Sequence, residues 1–90
     1  MVDTLTHDEV GEGLPPKWRF EDGEIRRTYE FESYLSGVEF ATDVARIADQ
    51  ATHYPRIVIE FRSVTVAFRS QDAGGVTKTD LELAGRVEAI

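Results

Sequence analysis

The chain predicts an α+β fold of two layers, with elements in the order α-β-β-α-β-β-α. One four-stranded antiparallel sheet carries the helices on one face. Three features of the sequence lead there. Two pairs of short strand-like segments each close on a tight reversal. A long stretch of three- and four-residue apolar spacing lies between the pairs. A helix-capping signal stands near each end.

Thr6-His7-Asp8-Glu9 matches the S/T-x-x-E capping box, in which the threonine hydroxyl and the glutamate carboxylate satisfy each other's backbone amides. A short helix over residues 7–13 follows and stops at Gly13 and the Pro15-Pro16 pair. Lys17-Trp18-Arg19-Phe20 reads as a first strand, with Trp18 more a core residue than a ligand platform. Glu21-Asp22-Gly23 is a turn, because Asp-Gly tolerates the positive φ of a tight hairpin. Ile25 to Phe31 forms the second strand, with Ile25, Arg27, Tyr29 and Phe31 on one face.

From Ser33 to about Thr52 the period becomes helical, through Tyr34, Leu35, Val38, Ala41, Val44, Ala45, Ile47 and Ala48. Gly37 within this stretch costs about 1 kcal/mol relative to alanine, which close packing would justify. Pro55 excludes helical dihedrals at Tyr54 and ends the element. Ile57, Ile59 and Phe61 alternate in the third strand and Val64, Val66 and Phe68 in the fourth, with Arg62-Ser63 as the reversal. Thr77 caps a last helix with an acidic residue three positions on, and Leu81, Ala84 and Val87 carry its apolar face to Val87 or Ile90.

Ninety residues, 1–90, make a single domain with 41% hydrophobic residues and 10% aromatics. A chain this short buries only about 60% of its unfolded surface, so its core is thin and self-association would add to it. There is no cysteine, hence no disulfide framework, thiolate nucleophile or cysteine-based zinc site. His7 and His53 are the only histidines, which leaves a transition metal with carboxylates alone, a poor donor set for zinc. No G-x-G-x-x-G, Walker loop or serine elbow occurs, and no cofactor is expected. The polar N-terminus does not look like a signal or transit peptide, and no apolar run approaches the roughly 20 residues that span a bilayer. A soluble, cytoplasmic protein is expected, with no membrane partner. Seventeen acidic against ten basic residues give a net charge of −7, which repels phosphate backbones and disfavours nucleic acid.

The residues that carry chemistry lie between Asp49 and Asp80. Asp49, His53, Pro55, Phe61 and Asp80 follow one another at steps of four, two, six and nineteen residues, and a Gly74-Gly75 pair precedes the last helix. This spacing resembles the pterin-4a-carbinolamine dehydratase family. Its pattern is an acidic residue, three spacers, His-His-Pro, an aromatic six residues after the proline, a third histidine ten later and an aspartate nine beyond that. Here Tyr54 stands at the second histidine and Gln71 at the third. The family has the same element order, and the resemblance covers nearly the whole chain. It implies a ligand site that includes Asp49, Pro55, Phe61, Gly75 and Asp80, with His53 as an acid. Each of these residues also has a purely structural reading: His53 at a helix terminus, Tyr54 as a packing residue, Gln71 to Gly75 as a connecting loop, Asp80 as a helix cap.

The family's reaction removes water from a 4a-hydroxytetrahydropterin: one proton goes to the departing hydroxyl at C4a and another leaves N5. Imidazole suits both transfers near neutrality. A carboxamide such as Gln71 does not exchange protons usefully, and a phenol such as Tyr54 is a poor base at pH 7. On this reading efficient turnover is not expected. The resemblance extends to a non-catalytic branch that serves as a RuBisCO assembly factor in α-carboxysomes. It implies a protein partner such as RuBisCO subunits, a homodimer or homotetramer, a carboxysome-associated location and weakened pterin binding. The alternative is an active dehydratase that recycles a tetrahydropterin cofactor.

Overall fold

The structure, a computed structural model, describes residues 4–90. Seven elements run in the expected order: α1 (His7–Gly13), β1 (Arg19–Glu21), β2 (Glu24–Glu30), α2 (Tyr34–Ala51), β3 (Arg56–Glu60), β4 (Ser63–Phe68) and α3 (Lys78–Glu88). All neighbours in the sheet are antiparallel, in the order β1-β2-β4-β3.

Local chemistry accounts for most boundaries. The Thr6–Glu9 capping box starts α1, with the Thr6 amide 2.8 Å from Glu9 Oε1 and the Glu9 amide 3.2 Å from Thr6 Oγ1. The β1–β2 turn places Asp22 at φ 53° and Gly23 at φ 75°, the two positive values a two-residue hairpin loop prefers. The second strand runs Glu24–Glu30, one residue earlier than Ile25 to Phe31, and two further boundaries differ from the sequence reading. The first strand begins at Arg19, not Lys17, because Lys17 sits at φ 73° and cannot join an extended ladder. The β3–β4 reversal is Phe61-Arg62, one residue earlier than expected, because Ser63 already pairs with Glu60 and with Glu30.

The sheet's alternation sends Ile25, Val64, Val66 and Phe68 toward the helices, and all four are fully buried. Against them pack Ala41, Val44 and Ala48 of α2 and Leu83, Ala84 and Val87 of α3. Gly37 is explained by this packing: a Cβ there would lie 3.1 Å from Val64 Cγ2 and 3.5 Å from Phe31. Trp18 joins the core, and its indole Nε1 donates to Glu88 Oε2 at 3.1 Å. Arg27, 2.6 Å from Glu88, and the hydroxyl of Tyr29 also donate to that carboxylate, which ties the end of α3 to β2. Burial pushes the Glu88 carboxyl up, but the bonds from Tyr29, Trp18 and Arg27 outweigh it and leave the group below the usual carboxylate range. Burial, then the Glu88 bond, pushes the Tyr29 phenol up. No helix among the described residues is long and apolar enough to cross a membrane.

α2 ends at Thr52, which adopts the left-handed conformation with φ 50° and ψ 43°. Its amide donates to the last turn, and the next residue, His53, donates its own amide to Ala48 at 3.1 Å. A β-branched residue is a poor occupant of that conformation, which costs roughly 1–2 kcal/mol for a side chain with a Cβ. Thr52→Gly should therefore stabilise the fold by about 1 kcal/mol after the extra unfolded-state entropy of glycine is counted. Urea denaturation would check this, and a destabilised variant would show that the threonine side chain contributes more than its strain removes.

Candidate functional site

His53 leaves the end of α2 with its imidazole lying over the Phe68 ring, at a centroid separation of 6.4 Å and an interplanar angle of 15°. Its Nε2 is 2.6 Å from Asp80 Oδ1. Asp80 comes from the first turn of α3 and is completely buried. The other oxygen of Asp80 accepts from Ser70 Oγ at 2.8 Å and from the Thr77 amide at 2.9 Å. The aspartate is thus the expected helix cap and, through its second oxygen, the partner of the histidine. A carboxylate only accepts, so the proton of neutral His53 is on Nε2.

That assignment turns Nδ1 outward. The imidazole is 20% exposed, and no polar side-chain atom among the described residues is both sealed from solvent and unpartnered. Nδ1 has no hydrogen-bond partner there and so is open to solvent. The histidine lines a cavity of about 640 Å³. Thr52, His53 and Tyr54 line it from the end of α2, Arg69 and Ser70 from the end of β4, Gln71, Asp72 and Ala73 from the loop, and Thr77 and Thr79 from the start of α3. The loop is shaped by its own backbone: Ser70 pairs with Gly75, and Gly74 takes φ 76°, a conformation that favours glycine.

The structure brings together some of the residues marked in the sequence and separates others. His53, Tyr54 and Gln71 share the cavity, and Asp80 sits behind the histidine. Tyr54 is 63% exposed, so it is not a packing residue, and its hydroxyl donates to Asp49 Oδ1 at 3.1 Å. That bond and the charge of Asp49 push the phenol above its ordinary range, which makes a phenolate base scarcer still. Asp49 and Pro55, with Tyr54, line a neighbouring groove of about 390 Å³ between α2 and β3. Gly75 is buried under Thr4, whose Cγ2 would lie 3.0 Å from an added Cβ. Phe61 is on the β3–β4 turn, 73% exposed and apart from the residues that line the cavity.

Ser70, Arg69 and Thr52 were not marked in advance. A serine ten residues before an aspartate has no local signature, and nothing in sequence separates Arg69 from a surface arginine. Among the described residues no cluster of His, Asp or Glu could hold a metal ion.

The arrangement supports one kind of chemistry. A neutral imidazole with Nε2–H held by a carboxylate offers a basic Nδ1; once protonated, it offers an acidic Nδ1–H that the same carboxylate stabilises. The pterin 4 alpha carbinolamine dehydratase family model matches residues 3–90. The chain belongs to that family. A Halobacterium salinarum protein provisionally named pterin-4-alpha-carbinolamine dehydratase is 46% identical over 88 residues, covering 98% of this chain and 97% of its own. A Natronomonas pharaonis protein with the same provisional name is 44% identical over 90 residues, covering 100% and 98%. The crystal structure of a transcriptional coactivator/pterin dehydratase from Brucella melitensis superposes with a TM-score of 0.89 at 25% identity, over 97% of each chain. A pterin dehydratase-like RuBisCO assembly factor of the α-carboxysome gives 0.69 at 18% identity, over 81% of this chain and 87% of that one. At that identity the likeness speaks for the dehydratase fold alone.

Proposed function

We propose that this protein is a pterin carbinolamine dehydratase reduced to one working imidazole, one that removes water slowly from 4a-hydroxytetrahydropterins. The observation that carries the reading is the 2.6 Å bond from His53 to the buried Asp80, on a ring that lines the cavity and whose Nδ1 has no partner among the described residues. As imidazolium, His53 gives its Nδ1 proton to the departing C4a hydroxyl, which leaves as water. The neutral imidazole can then take up the proton released from N5. Asp80 keeps Nε2 protonated and offsets the imidazolium charge. Gln71 can hydrogen-bond the hydroxyl but not protonate it, and Tyr54 is tied to Asp49, so one residue performs steps that three histidines share in the family pattern. Relatives that match nearly the whole chain carry the dehydratase name provisionally, which supports this reading over loss of activity.

Purified protein should dehydrate the 4a-carbinolamine above the spontaneous rate, by about 10²-fold or less, and His53→Ala should return it to that rate. A stopped-flow assay decides. No acceleration by folded wild-type protein would defeat the proposal.

A protein-binding role is a second reading, favoured by exposed apolar side chains: Leu35, 65% exposed, with Ile59 and Phe61. Under it, assembly of RuBisCO subunits in a carboxysome is the resemblance's suggestion, and a raised yield of holoenzyme on co-expression would support it.

A second copy of this chain is also a proposed partner. β3 is an edge strand, and Arg56-Ile57-Val58-Ile59-Glu60 is symmetric in residue type about Val58, with opposite charges at its two ends. A two-fold pairing there sets Arg56 opposite Glu60 of the second copy and Ile57 opposite its Ile59. Because Glu60 pairs with Ser63 across the turn, the backbone groups of Ile57 and Ile59 are the ones left facing the open edge. Arg56→Glu or Glu60→Arg should each weaken the dimer and the double exchange should restore it, as sedimentation would show. A wild-type monomer at tens of micromolar would refute the pairing.

A further inference from the structure

The cavity beside His53 contains a cation that the dehydration does not use. Arg69 stands at the end of β4, one residue after Phe68 on whose ring His53 lies, and it lines the same cavity. Every other arginine of the chain has a side-chain hydrogen bond or ion pair to protein. Arg69 has none among the described residues, although the chain holds 17 acids and Asp72, on the same cavity, is three residues away. In a protein this acidic, an exposed guanidinium would ordinarily be drawn into one of those ion pairs.

We infer that Arg69 is a specificity residue, which selects pterins whose C6 side chain ends in an anion, a carboxylate or a phosphate. The inference rests on the pterin reading above and names the substrate class within it. A neutral pterin requires no such cation. Its 2-amino and N3–H groups are donors, which suit Asp72 and the Gln71 carbonyl, not a guanidinium. An anionic side chain does require one, because the net charge of −7 repels it. The guanidinium fork matches a carboxylate or phosphate bidentately, and such charge-assisted bonds are about twice as strong as neutral ones.

The experiment compares two fluorescent probes, 6-carboxypterin and 6-hydroxymethylpterin, titrated against wild-type protein, Arg69→Gln and Arg69→Lys at low and high potassium chloride. Wild type should bind 6-carboxypterin about tenfold more tightly at low salt, and the preference should shrink as salt screens it. Arg69→Gln should abolish the preference without changing the affinity for 6-hydroxymethylpterin, and Arg69→Lys should keep part of it. Arg69 is exposed, so the variants should fold as wild type does, which circular dichroism checks. Equal binding of both probes by wild type, or a loss on both probes in Arg69→Gln, would overturn the inference while leaving the dehydratase reading intact. Binding of neither probe, together with no acceleration of dehydration, would overturn both.

Discussion

Replacing Asp80 with alanine should cost about 3–5 kcal/mol of folding stability, the range for removing one partner of a buried, hydrogen-bonded charge. The carboxylate is fully buried and receives bonds from His53 Nε2, Ser70 Oγ and the Thr77 amide. Alanine leaves those donors without an acceptor and opens a void at the start of α3. Small domains hold only about 5–15 kcal/mol in all, so the variant should be partly unfolded at physiological temperature. Asp80→Asn keeps the shape and gives a cleaner readout. An amide that donates to His53 forces the proton from Nε2 to Nδ1, so the fold should suffer less while dehydration falls to the spontaneous rate. Urea denaturation and imidazole ¹⁵N shifts measure the two effects. An alanine variant within about 0.5 kcal/mol of wild type would show that Asp80 is not the hub of this network.

The second large effect is a gain. Tyr54→His with Gln71→His should raise the dehydration rate by about 10²–10⁴, the usual contribution of a positioned acid or base. Both residues line the cavity with His53, so new imidazoles would stand where protons must move. Gln71→His adds a second acid toward the hydroxyl. Tyr54→His frees the position from its bond to Asp49 and supplies a base. Catalytic groups that act as a unit are not additive, so each single exchange should give less than half of the logarithmic gain. Adding His53→Ala to the double variant should remove most of it. If the folded double variant were no faster than wild type, either the cavity does not seat the pterin or imidazoles at these positions do not reach C4a and N5.

Parts of the site were legible in the sequence. Asp80 was read as a helix cap and as a member of the ligand pattern; the structure gives one oxygen to the cap and the other to His53. Gln71 and Tyr54 were placed by register alone, and both face the cavity. Register could not say that Phe61 would occupy a hairpin turn, because turn position depends on which strand residues pair. Nor could it say that Asp49 and Pro55 would line the neighbouring groove instead of the histidine's cavity. Thr52, strained just before His53, left no mark because a threonine at a helix end is ordinary by composition.

The elements were readable because their causes are local. Apolar periods, capping boxes, Asp-Gly at a turn and Pro55 after a helix act within a few residues, so the linear order carries them. The His53–Asp80 bond closes a separation of 27 residues, and that Arg69 has no partner among the described residues depends on where other elements place their acids. Such meetings follow from how the sheet pairs and how α3 settles on it. Packing of the whole chain, not any stretch of it, brings His53 to the cavity and sets the Asp80 carboxylate behind it.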